Sequence, residues 1–141
     1  GVRSEADFSF SNQQRYGQRY ACCGDAAGFL DPVFSSGVFL AVVGAERIAD
    51  RLNVALLNGT EAAADLLASD GRELEEGFNT MRLFIERFYR SDMVQRLFFE
   101  ADRSETIKQE ISALLSGDLW RSDNSFQRML LEGRQGRKRT A

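Results

Sequence analysis

The sequence predicts a mainly α protein in which two short N-terminal strands and a loop precede a helical region. Proline occurs only once, while Arg, Glu, Leu and Ala are abundant, a composition that favours helix. After residue 36, apolar residues recur at spacings of three and four over long stretches, which indicates amphipathic helices. Before residue 25 the apolar segments are short and either alternate with polar residues or run together, as strands do.

The two predicted strands lie on either side of a polar connection. Residues 7–11 alternate apolar and polar, which suits a half-buried strand, and residues 12–19 are polar and rich in Arg. Residues 20–23 form a short apolar run that ends at Gly24-Asp25, so we expect a buried strand there. Residues 25–36 follow no period and contain the proline, which predicts an unusually apolar loop.

A long helix is predicted after this loop. It should begin with Ser35 or Ser36 as its N-cap and end at Asn58-Gly59, because these residue types favour the two ends of a helix. Its first two turns are apolar on all sides, which predicts that they are buried against something large. The periodic apolar residues are Val38, Ala41, Val42, Ala45, Ile48, Ala49, Leu52 and Leu56.

Further helices are predicted downstream. A short one should cover residues 61–67, and Asp70 with Glu73 has the spacing of a capping box at the start of the next. An apolar stripe follows, and we interpret it as core rather than as a cofactor-binding face. Its members are Leu74, Phe78, Met81, Ile85 and Phe88, extended by Val94, Leu97 and Phe98 after a kink near Ser91-Asp92.

The end of the chain repeats these signals. Asp102 and Glu105 have capping-box spacing ahead of a helix that Gly117 should close, and a short helix is predicted around residues 126–131. Residues 133–141 contain four basic side chains and no acid. We interpret them as a disordered, solvated tail rather than a nucleic-acid contact.

Composition bounds the function. A chain of 141 residues with 43% hydrophobic and 28% charged residues can bury a core and is typical of a globular protein. No apolar run is long enough to span a membrane, which predicts a soluble, cytoplasmic protein with no membrane partner. With no His and only the adjacent Cys22 and Cys23, a zinc site or a Ser-His or Cys-His dyad is excluded, and we predict no metal site.

Residues 24–38 carry the functional signal. The string Gly-Asp-Ala-Ala-Gly-Phe-Leu-Asp-Pro-Val-Phe-Ser-Ser-Gly-Val closely resembles the second FAD signature of flavoprotein monooxygenases, in the version carried by flavin-dependent halogenases. Residues 114–118 are similar to a short motif in the C-terminal helical region of the same proteins. The resemblance implies that residues 1–58 are the C-terminal segment of an α/β FAD-binding fold with a flavin-facing loop. Residues 59–132 would then form a C-terminal helical region.

The resemblance also implies a set of site residues. FAD would be contacted by Gly24, Asp25, Asp31, Pro32 and Gly37, with Asp25 on the ribityl chain and Asp31-Pro32 beside the isoalloxazine ring. A chloride or bromide ion would be held by the backbone amides of Ser36 and Gly37. The full-length enzyme is then expected to be an FAD-dependent oxidoreductase of the halogenase or monooxygenase type, and the isolated chain to be inactive.

The sequence departs from the family in four respects. The Gly-x-Gly-x-x-Gly nucleotide-binding motif and the Trp-x-Trp-x-Ile-Pro motif are both missing. Lys108 and Lys138 lie downstream of the loop, whereas the family's catalytic lysine lies upstream, so no catalytic residue is assigned in this chain. Phe39 stands where related halogenases often carry His.

The expected partners and the competing functions follow from the same resemblance. The partners are a missing N-terminal FAD-binding portion, a small-molecule or carrier-protein-bound substrate, and a flavin reductase; no nucleic acid is expected. Two alternatives stay open. One is an FAD-dependent monooxygenase or reductase without halogenation, and the other is a non-catalytic helical interaction module.

Overall fold

The computed structural model describes the backbone of residues 9–90, 105–121 and 123–138, with side chains up to residue 132. It confirms a mainly α chain with short strands near the N-terminus. The helices are α1 (Ser36–Asn58), α2 (Ala68–Arg90), α3 (Glu105–Leu115) and α4 (Ser125–Lys138). The strands are β1 (Phe10–Ser11), β2 (Tyr16–Gly17), β3 (Tyr20–Ala21) and β4 (Gly28–Phe29). The predicted kink at Ser91-Asp92, the stripe residues Val94, Leu97 and Phe98, and the cap Asp102 lie outside the described residues.

The strands form two antiparallel ladders. β1 pairs with β4, with Phe10 opposite Phe29, and β2 pairs with β3, with Tyr16 opposite Ala21. The predicted burial of the second strand is wrong, because Tyr20 is 47% exposed. Within the described part of the chain β3 has only β2 as a neighbour, so a hairpin of two residues a side cannot cover its own faces.

The chain divides into two compact units, which we call the N-terminal unit (Gly1–Glu75) and the C-terminal unit (Glu76–Ala141). The boundary falls inside α2, whose first residues belong to the N-terminal unit. In the described ranges, no helix is both long enough and apolar enough to cross a membrane.

Helix α1 in the N-terminal unit has the predicted bounds. Gly59 closes it in the left-handed conformation, with φ 64°, and its N–H donates to the carbonyls of the last turn. The predicted serine cap is wrong in its chemistry. Ser35 occupies the N-cap position, but its side chain makes no capping hydrogen bond, because its backbone is left-handed (φ 53°) rather than extended.

The predicted burial of the first turns of α1 is also wrong for the described part of the chain. Val38 is 76% exposed and Val42 is 61% exposed. They begin a row of exposed apolar residues spaced by four and three along the helix. This row, which we call the α1 stripe, consists of Val38, Val42, Ala45, Ala49, Leu52 and Leu56. The contacts of α1 instead use its other side, where Gly44 and Ala55 are buried.

Two ion pairs connect that other side of α1 to the first turns of α2. Arg51 Nε lies 2.9 Å from Asp70 Oδ2, and Arg47 pairs with Glu73. The predicted helix over residues 61–67 is wrong, since these residues form turns and α2 begins at Ala68. The predicted capping box of Asp70 and Glu73 is therefore wrong too. Both carboxylates lie inside the helix and face arginines of α1 instead of capping.

The C-terminal unit contains the predicted core. Phe78, Met81 and Ile85 of the predicted stripe are buried, which confirms them as core residues. The stripe residues Leu74 and Phe88 are half-buried, and Phe84 beside the stripe is 1% exposed. The Phe84 and Phe126 rings meet edge to face with centroids 6.0 Å apart. Leu83 on α2 is buried as well. Further buried apolar residues come from α3, α4 and their connection, namely Ile111, Leu114, Leu119 and Leu130.

The junction between α3 and α4 is held by hydrogen bonds. Gly117, with φ 98°, ends α3 as predicted. The Glu110 carboxylate on α3 then caps α4 by accepting from the Ser125 hydroxyl at 2.7 Å and from the Phe126 N–H at 3.1 Å. These hydrogen bonds lower the pKa of Glu110, and the bond from the Ser125 hydroxyl has the largest effect. Helix α4 runs to Lys138, well beyond the predicted 126–131 and through most of the basic segment that was predicted to be disordered.

Candidate functional site

The loop between β3 and α1 contains most of the sequence-predicted site residues. It is built from two 3-10 turns, Gly24–Ala26 and Pro32–Phe34, separated by β4. Gly24 has φ +56°, a conformation that favours glycine, and its carbonyl accepts from the Ala27 N–H at 3.0 Å. A side chain at Gly24 would also meet the Cβ of Ala41 at 3.4 Å, so this turn rests against α1 one turn beyond Gly37.

Asp25 lies exposed in the first turn. Its carboxylate makes no hydrogen bond to any described residue, so its oxygens are available to an outside donor. A carboxylate accepts hydrogen bonds from hydroxyl groups and binds them more strongly than a neutral acceptor does. The geometry therefore suits recognition of a hydroxylated ligand at this turn.

Asp31 and Pro32 shape the second turn. Asp31 Oδ1 accepts from the Val33 N–H at 2.8 Å, and Pro32 occupies the first position of the turn, where its missing N–H does no harm. The Pro32 carbonyl then accepts from the Ser35 N–H at 2.9 Å. One oxygen of Asp31 is therefore already engaged by the loop backbone, and the pair fixes the path that leads to α1.

The start of α1 combines three features that fit a small anion. Ser36 is 6% exposed, yet its hydroxyl has no hydrogen-bond partner among the described residues. Gly37 is exposed and helical, and a Cβ built on it would meet nothing within 4 Å. The first N–H groups of a helix have no intrahelical acceptor and lie at the positive end of its dipole. A ligand can approach this backbone closely, and an unpaired buried hydroxyl stands ready to donate.

The structure adds one residue that the sequence did not single out. Asn12 follows β1, and its side-chain amide donates to the Ala26 carbonyl at 3.1 Å and to Cys22 Sγ at 3.8 Å. Its backbone N–H donates to the Ala27 carbonyl at 3.2 Å. In the sequence Asn12 is one polar residue in a polar connection, and no local pattern marks it.

The glycine-aspartate turn packs on α1 near the N-terminus of that helix, an arrangement that suits an anionic or hydroxylated ligand. The family follows from comparison with known proteins. The tryptophan halogenase family model matches residues 10–132, and the chain belongs to that family.

Two of the reported relatives are similar along most of the chain, and a third is similar along part of it. It is 29% identical over 118 residues to a 1H-pyrrole-2-carbonyl-[peptidyl-carrier protein] chlorinase of Pseudomonas fluorescens, covering 84% of this chain and 25% of the relative. It is 27% identical over 136 residues to the corresponding brominase of Pseudoalteromonas luteoviolacea, covering 92% and 32%. A flavin-dependent halogenase of Armillaria mellea is 50% identical over 44 residues, which cover 31% of this chain and 8% of the relative. The chain thus spans at most about a third of these relatives, and no solved structure matches it.

Proposed function

We propose that this chain is part of an FAD-dependent halogenase, in which the loop from Gly24 to Gly37 contacts the flavin and the start of α1 holds the halide. The observation that carries the proposal is the N-terminus of α1, where the buried, unpartnered hydroxyl of Ser36 adjoins the open backbone of Gly37. Membership of the halogenase family supports the choice of ligand for this element.

Each site residue has a distinct task in the proposal. Gly24 allows the sharp turn that presents the Asp25 carboxylate to the ribityl hydroxyls. Asp31 and Pro32 hold the loop beside the isoalloxazine ring, with Asp31 acting through its hydrogen bond to Val33. The backbone amides of Ser36 and Gly37 bind chloride or bromide, and the Ser36 hydroxyl donates a further hydrogen bond to the ion. When bound, the flavin supplies the redox chemistry that oxidises the halide, and no residue of this chain is given a catalytic role.

The substrate class is proposed from the relatives. Two of them, by name, act on a pyrrole carbonyl group attached to a peptidyl carrier protein. We therefore place a carrier-protein-bound substrate ahead of a free small molecule, with flavin reduced by a separate reductase. Because the chain covers only 25% and 32% of these two relatives, we also propose that an N-terminal FAD-binding portion of the enzyme lies outside it.

We propose that the α1 stripe is the surface on which this outside portion packs. Six apolar residues at alternating spacings of four and three form a continuous seam over about five turns of helix. Exposed apolar surface of this length is typical of an interface rather than of a solvated helix. The stripe also starts at Val38, directly after the two residues proposed to bind halide, so the same packing would enclose that site.

The halide site is tested by Ser36→Ala in the intact enzyme. Removing a buried hydroxyl that has no partner should leave the free energy of unfolding unchanged or slightly higher. Halide binding should weaken by roughly tenfold to a hundredfold, because a hydrogen bond to a charged group is lost. Denaturant unfolding measures the free energy of unfolding, and the bromide dependence of product formation measures halide binding. Ser35→Ala is the matched control, since the Ser35 side chain is exposed.

The flavin arm of the test is Asp25→Ala, which should weaken flavin binding by roughly the same factor for the same reason. An unchanged dissociation constant would make Asp25 a turn former only.

If the wild-type enzyme reoxidises flavin without halogenating any carrier-bound or free substrate, and bromide-soaked crystals show no peak at the Ser36 and Gly37 amides, the halogenase proposal fails. A monooxygenase or reductase without halogenation then takes its place.

A further inference from the structure

Asn12 lies at the centre of five hydrogen bonds. Its side-chain N–H groups reach Ala26 and Cys22, and its backbone N–H reaches Ala27. Its side-chain oxygen accepts from the Gln14 N–H at 2.9 Å, and its carbonyl accepts from Arg15 Nε at 3.2 Å. An amide is needed for this set, because it combines two donors with an acceptor on one short side chain.

Two of these hydrogen bonds flank the Gly24-Asp25 turn. Cys22 precedes the turn and Ala26 ends it, so the Asn12 amide contacts the chain on both sides of Asp25. A second hydrogen bond also connects the segment after β1 to the residues before the turn, since the Cys22 N–H donates to the Arg15 carbonyl at 2.7 Å. The turn also packs on α1, where a Cβ at Gly24 would lie 3.4 Å from the Cβ of Ala41. The turn is therefore held both by the Asn12 hydrogen bonds and by its contact with the helix.

We infer that Asn12 is a positioning residue for Asp25, fixing the direction in which the carboxylate is offered to a hydroxylated ligand. This inference rests on the proposed function, because it takes the ligand of Asp25 to be the ribityl chain. Asp25 itself has no hydrogen bond to a described residue that could orient it. Its direction is therefore set by the backbone of the turn, and the Asn12 amide is the side chain that bonds to that backbone.

The experiment is a double-mutant cycle in the intact enzyme with flavin affinity as the readout. Asn12→Asp keeps the size of the side chain and the acceptor for Gln14, and it removes both donors. In the protein that retains Asp25, Asn12→Asp should weaken flavin binding by roughly tenfold, which is the effect of losing a well-placed hydrogen bond. In the Asp25→Ala background the same substitution should change the affinity less than about twofold, because the residue it positions is gone.

Other outcomes separate the explanations. An equal loss of affinity in both backgrounds, or no loss in either, overturns the positioning role, since a purely structural effect does not depend on Asp25. If Asp25→Ala alone leaves flavin affinity unchanged, the proposed function fails at that residue instead. If Asn12→Asp does not fold, Asn12→Ser replaces it in the cycle, because the serine hydroxyl is too short to reach Ala26. Ser11→Ala is the control, because it removes the neighbouring bond from Arg15 and leaves the turn intact.

Discussion

The two units of this chain are stabilised in different ways. Among the described residues, the C-terminal unit buries ten apolar side chains, including Met81, Phe84 and Leu114, whereas the N-terminal unit buries only Leu30, Ala55 and Leu67. The described residues of the N-terminal unit are connected by three ion pairs and by the hydrogen bonds of Asn12, and they expose the α1 stripe. A segment that leaves an apolar seam uncovered is typical of an element that completes its packing against another surface.

The difference in stabilisation between the two units is tested by making the same Leu→Ala substitution in each unit. Leu114→Ala in the C-terminal unit, where Leu114 is 0% exposed, should lower the free energy of unfolding by about 2–5 kcal/mol. Leu57→Ala in the N-terminal unit, where Leu57 is 88% exposed, should change it by less than about 0.5 kcal/mol. Denaturant unfolding followed by circular dichroism measures both, and fluorescence of Trp120, the only tryptophan, reports on the C-terminal unit. Similar losses for the two variants would remove the distinction.

The α1 stripe is tested by the isosteric change Val42→Thr. In the 141-residue chain Val42 is 61% exposed, so the added hydroxyl stays hydrated and should cost almost nothing. In the intact enzyme, covering by the FAD-binding portion would bury that hydroxyl without a partner, at a cost of about 1–3 kcal/mol. Val54→Thr is the matched control, because Val54 is 58% exposed on the same helix and lies off the stripe. Equal stability of the two variants in the intact enzyme would show that the stripe is not covered.

The smallest expected effect concerns the ion pair between α1 and α2. Burial raises the pKa of Asp70, but the hydrogen bond and charge of Arg51 outweigh it, and the net pKa is lowered. Because the folded pKa is depressed, the stabilisation is full above the ordinary value of 3.8 and is lost as pH falls through the lowered one.

The difference in unfolding free energy between wild type and Asp70→Asn should therefore be constant near neutral pH and shrink in acid. Unfolding titrations across this pH range measure it. Arg51→Gln supplies the check, since in its background Asp70→Asn should lose most of its effect and its pH dependence. A difference that stays constant into strong acid would mean that the pair does not stabilise the fold.

The features that depend on neighbours along the chain can be read from the sequence alone. The apolar stripe of α2 is a repeat of three and four, and the ends of α1 and α3 are marked by Gly59 and Gly117, whose left-handed backbones need glycine. The Gly24-Asp25 turn and the family likewise follow from a contiguous string of residues. Local spacing and local backbone conformation are properties that a sequence states directly.

Only the tertiary structure decided what each of these elements contacts. Asp70 and Glu73 have the spacing of a capping box, but α2 begins earlier and the arginines of α1 take them, an interaction between residues about 20 or more positions apart. Asn12 bonds across 14 residues to the turn that follows β3. The exposure of the α1 stripe and the burial of Ser36 also depend on which surfaces meet. Apolar periodicity fixes which side of a helix can be buried, whereas burial itself requires a second surface, and that surface is specified elsewhere in the chain.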